Sequence, residues 1–372
     1  MAGSKDKHYR YIDGQLYARV VYRDETGKRV ERHYKADSKT EAREIYQRKL
    51  RELKDHGQRM LETERMTFAK LAQVYEERKL FDAEYHEGRK TAGLRSVKSA
   101  KTFLAVLKGY FGLRQIRSIT NSDVEKFRRE RLKSETVRGQ QRTIAAVNRE
   151  LELLRAMLNF AKREGWLIRT PFEAGSPLIS KADEVHRDRL LSSVEEERLL
   201  LACTGKRTHL RPLIIAALDT ACRRGELLQL KWSDVDLENR TIRVRATTTK
   251  TQRGRVVPIS SRLLEELKML RLTAEEDDLV FGVKTDVKRS FTAACQAADV
   301  QGFHFHDCRH TGITRMIQAG MTPMQVMKIS GHTQMTTFAR YVNADDEAVK
   351  RAAAAIDAFH AAGQREQTAY IN

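Results

Sequence analysis

Imidazole, guanidinium and phenol groups are concentrated between Phe303 and Tyr341, where the sequence reads FHFHDCRHTGITRMIQAG, MTPMQVMKISGH and TQMTTFARY. His306 and Arg309 are three residues apart, which places them on one face of a helix. His332 follows an apolar helical run, and Tyr341 lies nine residues beyond it. A phenol can attack phosphorus, and cationic donors around it can hold the phosphate that is attacked. The stretch therefore indicates phosphoryl-transfer chemistry.

A second set of cationic groups precedes this stretch. Arg223 and Arg224 stand beside a glycine where one predicted helix ends and another begins, and such a junction suits close approach to a phosphate. Further on, alternating apolar residues flank the loop TTTKTQRG and predict a β-hairpin. Lys250 is the sole lysine from residue 241 to residue 255, so it is the single candidate for a mobile cation at the hairpin tip.

Three histidines and a carboxylate invite a second interpretation, a metal site. The segment from His304 to His310 contains the pattern H-x-H-D, which can ligate zinc. No further histidine or carboxylate cluster in the sequence completes a coordination sphere, and two arginines would lie near the metal. We therefore predict no metal and no cofactor, and we interpret His304 and His310 as packing or backbone-bonded histidines.

The chain as a whole is basic. Its 372 residues include 69 Lys and Arg against 50 Asp and Glu, a net charge of +19. This excess favours a nucleic-acid partner over a merely soluble basic surface. A membrane partner is disfavoured, because the sequence has no apolar run of about 18 residues, no signal peptide and no lipidation motif. The four cysteines form no C-x-x-C pair, which disfavours zinc and is typical of a protein in a reducing cytoplasm.

The hydrophobic periodicity indicates that the chain is a multidomain protein. Residues 1–60 predict a small α+β unit of three strands and a helix that begins at Ser38. A basic sheet face carrying Arg19 and Arg23 could enter a DNA groove. The alternative is a scaffold or dimerisation unit. The polar segment from His56 to Arg65 is interpreted as a linker.

Residues 66–180 predict an all-α domain. It carries 23 Lys and Arg against 13 Asp and Glu, the largest share of the surplus charge. Its basic clusters are ordinary solvated helix faces in one interpretation and phosphate contacts in the other, and the surplus charge favours contact. The residues predicted to touch DNA in this domain are Lys126, Arg128, Arg129, Arg138 and Arg142.

A third region follows a predicted linker at residues 175–189. Residues 190–343 predict a mainly α domain with a small β-hairpin or sheet, and both sets of cationic groups fall inside it. Residues 344–372 predict an Ala-rich helix and a tail, and we expect the helix to pack on a neighbouring copy of the chain.

The combined motifs resemble the tyrosine recombinases, in particular the phage-type integrases. The matching segments read TACRRGELLQLKWSDVD, TTKTQRGRVVPIS, HFHDCRHTGITRMIQAG and SGHTQMTTFARY, in the family's order. The close match covers about residues 190–343. Residues 66–180 resemble the family's helical, SAM-like core-binding domain more loosely, and residues 1–60 resemble the arm-type DNA-binding unit of integrases by pattern only.

The resemblance implies a role for each residue of the motifs. Tyr341 would attack the scissile phosphodiester and form a 3′-phosphotyrosine, while Arg223 and Arg309 hold the non-bridging oxygens. Lys250 would protonate the leaving 5′-oxygen. The remaining implied roles are proton movement at the tyrosine for His306, a hydrogen bond to the phosphate for His332, orientation of the first arginine for Glu226, and a structural or phosphate contact for Arg224.

The resemblance also implies partners. Recombination of two duplexes would need a homotetramer on double-stranded DNA, with core-type and arm-type attachment sites, in the bacterial cytoplasm. A host DNA-bending factor and an excisionase are further candidate partners. The alternatives that share this chemistry or scaffold are a type IB topoisomerase, which relaxes supercoils, and a non-catalytic DNA-binding regulator.

Overall fold

The structure is a computed structural model that describes residues 8–24, 26–86, 89–94, 96–137, 139–185, 187–246, 254–275, 278–283, 286–341, 353–354 and 356–357. The chain divides into two units, residues 1–186 and residues 187–372. Among the described residues, no helix combines the length and the apolar character needed to cross a lipid bilayer.

The first unit begins with a sheet and continues as helices. Its elements, in chain order, are β1 (Tyr9–Ile12), β2 (Gln15–Arg23), β3 (Arg29–Lys35), α1 (Lys39–His56), α2 (Gln58–Glu62), α3 (Phe68–Lys79), β4 (Glu84–His86), β5 (Arg89–Ala92), α4 (Val97–Phe111), α5 (Asn121–Lys133) and α6 (Ile144–Arg163).

The N-terminal strands and helix follow the sequence pattern. β2 lies between β1 and β3, and both pairings are antiparallel. Leu16 and Ala18 of β2 are buried in a small core with Ile45 of α1. Ser38 begins the helix as predicted, because its side chain accepts a hydrogen bond from the N–H of Glu41 at 3.1 Å. The alternating strand therefore presents one apolar face to α1.

The prediction of a linker from His56 to Arg65 is wrong. α2 occupies this segment, and its Leu61 is fully buried in a cluster with Val20 and Tyr22 of β2. Composition suggested a linker because most of the segment is polar. The two apolar residues inside it, Met60 and Leu61, are buried, and Leu61 packs against the sheet.

The helical part of the first unit is arranged around α6. Val147, Leu151, Leu154 and Leu158 are almost completely buried, and α3, α4 and α5 pack on this helix. The prediction of an all-α domain needs one correction, because β4 and β5 form an antiparallel hairpin between α3 and α4. Arg89 to Ala92 form the second strand of that hairpin, inside the region predicted to be all-α.

The second unit surrounds a larger core. Its elements are α7 (Ser193–Leu201), α8 (Leu210–Thr220), α9 (Arg224–Leu228), β6 (Val235–Asp236), β7 (Thr241–Val244), β8 (Arg255–Pro258), α10 (Ser261–Arg271), α11 (Lys288–Ala297), α12 (Phe305–Gln318), α13 (Pro323–Ser330) and α14 (Met335–Phe338). β7 pairs with β8 as the predicted hairpin, and β6 adds a short third strand.

Two helices of the second unit position the motif residues. α8 is buried along nearly its whole length, and α12 packs closely against it. Gly312 of α12 permits this approach, since a Cβ atom there would lie 2.2 Å from the carbonyl oxygen of Leu218. The C-terminus of α8 and the middle of α12 are therefore held at a fixed separation.

Candidate active site

Arg223 lies at the sharp turn between α8 and α9. The preceding Ala221 has a φ of 51°, a left-handed conformation that ends α8 and redirects the chain. The Glu226 carboxylate accepts hydrogen bonds from the Arg223 N–H at 2.9 Å and from its Nη1 at 2.8 Å. Burial alone would raise the pKa of Glu226, but the neighbouring guanidinium groups lower it, so the carboxylate is ionised. Glu226 is therefore in direct contact with both the backbone and the guanidinium of Arg223.

Arg309 is the second arginine of the site, and only 3% of its surface is exposed. Its Nη1 donates to the carbonyl oxygen of Ala221 at 2.7 Å, which joins α12 to the α8–α9 turn. Burial, followed by the like charge of Arg223, lowers the pKa of Arg309 to about 10. Two guanidinium groups that repel each other in a buried site form a binding place for an anion.

His332 follows the end of α13, where Gly331 adopts a left-handed conformation with a φ of 73°. Its Nδ1 lies 2.8 Å from the hydroxyl oxygen of Ser330, which donates its own hydrogen to the carbonyl oxygen of Val326 at 2.7 Å. The ring therefore donates from Nδ1 and keeps a lone pair on Nε2. Burial and the charge of Arg309 lower the pKa of His332 to about 3, so the ring is neutral at pH 7.

The histidines of α12 lie side by side near the phenol. The rings of His306 and His310 have centroids 5.1 Å apart, and Nδ1 of His310 is hydrogen-bonded to the hydroxyl oxygen of Tyr341. Burial lowers the pKa of His310 to about 4 and also lowers that of His306. The interpretation of His310 as a packing or backbone-bonded histidine is wrong, because its ring contacts the candidate nucleophile. His304 is largely exposed where α12 begins.

Tyr341 ends a short 3₁₀ turn, Ala339–Tyr341, directly after α14. Its ring packs 5.4 Å from that of Phe338 and 6.0 Å from that of His332, measured between centroids. Burial raises the pKa of Tyr341, and the charges of Arg340 and Arg309 oppose that rise. The guanidinium of Arg340 stacks over the phenol and also donates to the carbonyl oxygen of residue 187 at 2.6 Å, which holds the turn in place.

The remaining predicted site residues lie in different settings. Lys250 and Arg138 are outside the described residues. Arg224 pairs with the carboxylate of Asp286 at 2.8 Å. The structure describes six of the predicted DNA contacts of the first unit, and each of them is partly or fully exposed. They lie in strand β2, helix α5 and the loop before α6: Arg19, Arg23, Lys126, Arg128, Arg129 and Arg142.

Some of these cations already have protein partners. Arg19 forms a two-pronged ion pair with Glu31 of β3, with contacts of 2.7 and 3.0 Å. Arg142 donates to the hydroxyl of Ser134 at 3.1 Å and supports the loop before α6. Lys126 lies 3.9 Å from Glu130 on the exposed face of α5.

Arg255 is a site residue that the sequence interpretation missed. It is the first residue of β8, and its side chain is 7% exposed beside Glu226. Strand alternation offered a signal, because Arg255 shares the face of Val257 and Ile259, which are both buried. An arginine at an inward-facing strand position requires a buried partner.

The described side chains of the candidate site do not form a metal-binding cluster. Among the described parts of the chain, no group of three or more His, Cys, Asp and Glu residues could hold a metal ion. The four cysteines are all buried and unpaired. The described residues therefore bring guanidinium, imidazole and phenol groups together in one site.

Comparisons with known proteins agree with this geometry. Residues 189–348 match the Phage integrase family. The shufflon-specific DNA recombinase of Escherichia coli is 33% identical over 243 residues, which cover 64% of this chain and 62% of that protein. The integrase of Salmonella phage P22 is 22% identical over 217 residues, which cover 54% of each chain. The chain thus spans less than two thirds of the length of both relatives.

Solved structures share the fold. The integrase of the Tn1549 transposon, residues 82–397 in complex with circular intermediate DNA, superposes with a TM-score of 0.59 at 18% identity, covering 77% of this chain and 98% of that chain. A lambda integrase dimer bound to a COC′ core site gives a TM-score of 0.60 at 18% identity, covering 92% and 96%. The chain therefore shares its fold with these integrases, and residues 189–348 are similar to the phage integrase family.

Proposed function

We propose that this protein is a site-specific DNA recombinase that cuts and rejoins DNA through a 3′-phosphotyrosine intermediate. The observation that carries the proposal is a chain of contacts in the second unit: Arg309 bonds to the turn that precedes Arg223 and contacts the ring of His332, which packs against the ring of Tyr341. The proposed outcome is integration or excision of a phage or other mobile element. Relatives named as recombinases and integrases favour this function over a topoisomerase or a non-catalytic regulator.

The proposed reaction begins when the Tyr341 oxygen attacks the scissile phosphorus and the bond from phosphorus to the 5′-oxygen breaks. Arg223 and Arg309 stabilise the charge on the non-bridging oxygens, a contribution of about 3–4 kcal/mol for each such donor. Lys250 protonates the leaving 5′-oxygen. Attack by a 5′-hydroxyl on the phosphotyrosine reverses these steps, so rejoining needs no ATP, metal or other cofactor.

Removing the phenol proton is the costly step for this nucleophile. An ordinary tyrosine has a pKa of about 10, so ionising it at pH 7 costs about 4 kcal/mol, and burial of Tyr341 adds to that cost. His310 contacts the hydroxyl directly and is placed to accept the proton, with His306 beside it. This assigns to the pair the proton movement that the resemblance implied for His306 alone.

DNA binding is proposed for both units. The net charge of +19 supports contact with the phosphate backbone, and Arg224, Lys126, Arg128, Arg129, Arg138 and Arg142 are the proposed core-site contacts. Arg19 and Arg23 are the proposed contacts between residues 1–60 and arm-type sites. Lambda integrase has been solved as a tetramer bound to a Holliday junction, which supports a tetramer of this chain on DNA. We expect it to act in the bacterial cytoplasm, where a bending factor and an excisionase are proposed partners.

The test is covalent trapping with Tyr341→Phe. On a suicide duplex that carries the element's own junction and a nick near the cut, the unaltered protein should form a protein–DNA adduct that survives denaturation. Tyr341→Phe should bind the same duplex and form no adduct, because it lacks the attacking oxygen. An adduct with Tyr341→Phe would show that another residue is the nucleophile.

A further inference from the structure

We propose that Arg255 is a positioning residue for strand cleavage, one that fixes the phosphate-binding guanidinium of Arg223 through Glu226. The proposal rests on the recombinase function proposed above. Arg255 would not touch DNA itself. Its effect on the reaction would pass through one buried carboxylate that two arginines share.

The first step is the shared carboxylate. Glu226 is 3% exposed, and Nη2 of Arg255 lies 2.6 Å from its Oε2 while Nη1 lies 3.3 Å from its Oε1. The same Oε1 accepts from Nη1 of Arg223 at 2.8 Å. The single negative charge of Glu226 is therefore shared between the positive charges of Arg223 and Arg255.

The second step is the anchor of Arg255. Its Nε donates to the carbonyl oxygen of Ile329 at 2.6 Å, near the end of α13. Gly331 closes the other side, since a Cβ atom there would lie 3.1 Å from the guanidinium carbon of Arg255. The sulfur of Cys222 lies 3.5 Å from Nη2. These contacts hold the guanidinium in one orientation, so its position does not depend on Arg223.

The third step is the charge balance that follows. With Arg255 present, part of the carboxylate charge is satisfied from the protein side, and Arg223, whose side chain remains 25% exposed, can turn its other donors to a phosphate. Without Arg255, the buried carboxylate would have Arg223 as its main counter-charge. Arg223 would then be drawn toward Glu226 and away from the phosphate, and a displacement of about 1 Å is enough to cost about 100-fold in rate.

The sequence supports this interpretation of the strand. Arg255 begins the strand that follows Lys250 in the sequence. The strand therefore starts just after one candidate catalytic cation, Lys250. Its first side chain contacts Glu226, the carboxylate that pairs with a second candidate cation, Arg223. A residue with a purely structural role would need only to fill this space. The two-pronged contact to Glu226 gives Arg255 a charge-dependent role in addition.

The experiment measures single-turnover adduct formation on the suicide duplex for Arg255→Met, Glu226→Gln and the double variant. Arg255→Met should be about 10- to 100-fold slower, with DNA affinity changed by less than about 3-fold. The double variant should be no slower than Arg255→Met, because a neutral glutamine at position 226 no longer draws Arg223 away from the phosphate. Arg255→Lys keeps a cation and should recover part of the rate, and it serves if the Met variant does not fold.

The matched control is Arg315→Met in the same unit. Arg315 also joins a buried carboxylate, Glu196, to a main-chain carbonyl oxygen, that of Leu191 at 3.0 Å, but its described contacts include neither Arg223 nor Glu226. It should lower the melting temperature and leave the cleavage rate within about 3-fold of the unaltered protein.

Two results would overturn the inference. One is a double variant that is slower than Arg255→Met, and the other is an Arg315→Met variant that slows cleavage as much as Arg255→Met does. If the unaltered protein forms no adduct with its own junction, the proposed function fails instead, so the two failures are distinguishable.

Discussion

At the scale of single residues, the histidines of α12 separate into different environments that the sequence does not distinguish. His304 is exposed at the helix start, whereas His310 lies one turn beyond His306 and meets the hydroxyl of Tyr341. Helix periodicity places His306 and His310 together. It does not show that the turn after α14 brings Tyr341 back onto them, because that contact depends on how α12, α13 and α14 pack.

Substitution His310→Ala tests the contact with the phenol. It should slow adduct formation by about 100-fold, the lower end of the range for a general base, and leave DNA affinity unchanged. His304→Ala is the matched control on the same helix and should retain the original rate. A rate for His310→Ala equal to that of the unaltered protein would remove His310 from the reaction.

Arginines that look equivalent in the sequence also separate. Arg131 belongs to a basic run of α5, yet its guanidinium forms a two-pronged pair with Glu150 of α6, a carboxylate that is 3% exposed. The neighbouring Arg129 is exposed on the same helix. A charge run therefore predicts a basic face correctly, but the partner of each cation depends on the facing helix.

At the scale of elements, several helix boundaries are set by local chemistry. Thr322 and Pro323 start α13, with the threonine side chain capping the helix, and Gly331 ends it in the left-handed conformation. Ser192 caps α7 in the same way. Such boundaries can be predicted from sequence because the capping side chain and the backbone N–H that it accepts from are only three residues apart. The β4–β5 hairpin was missed because its short, polar strands carry no apolar alternation.

Substitution Gly312→Ala tests the close approach of α8 and α12. The added Cβ atom would overlap the carbonyl oxygen of Leu218, so the variant should lose at least about 1–3 kcal/mol of stability, or several degrees in melting temperature. Gly225→Ala in α9 is the control, because no atom lies within 4 Å of its added Cβ. Equal melting temperatures for the two variants would contradict the packing argument.

At the scale of the whole molecule, the sequence predicted an arrangement of domains with boundaries at residues 60, 66, 180 and 190. The chain divides between residues 186 and 187, within the predicted second linker. Contacts across the predicted first boundary are extensive. Lys49 of α1 is 6% exposed and its Nζ lies 2.5 Å from Oε1 of Glu64, and Arg117 donates to the carbonyl oxygen of Met60.

Deletion of residues 1–60 should therefore destabilise the rest of the first unit. It removes the partner of Glu64 and uncovers Leu61, so the melting temperature of that unit should fall, by roughly 2–4 °C for each kcal/mol lost. A deletion ending at residue 7, before β1, is the control and should leave the unit intact. If the longer deletion melts at the same temperature, residues 1–60 are an independent domain, as the sequence suggested.

The candidate site was the most predictable part of the molecule. The order and spacing of Arg223, Arg309, His332 and Tyr341 identified the groups that the fold brings together. The residues that support them, Arg255 and Ser330, could not be found in that way. The partner of Arg255, Glu226, belongs to an element distant in the chain. The role of Ser330 depends on the direction in which its hydroxyl donates, which the sequence does not show.

The neutral state of His332 has a consequence for thermodynamics. In the free protein its Nδ1 hydrogen is committed to Ser330 and its pKa is about 3, so Nε2 has no hydrogen to offer a phosphate oxygen at pH 7. A phosphodiester held by the arginines adds negative charge beside the ring and favours its protonated form. Formation of the complex should therefore absorb protons from the solvent, and affinity should rise as the pH falls toward the pKa of the ring in the free protein, about 3. Calorimetric titrations in buffers with different ionisation heats should give different apparent enthalpies, and His332→Gln should reduce that difference.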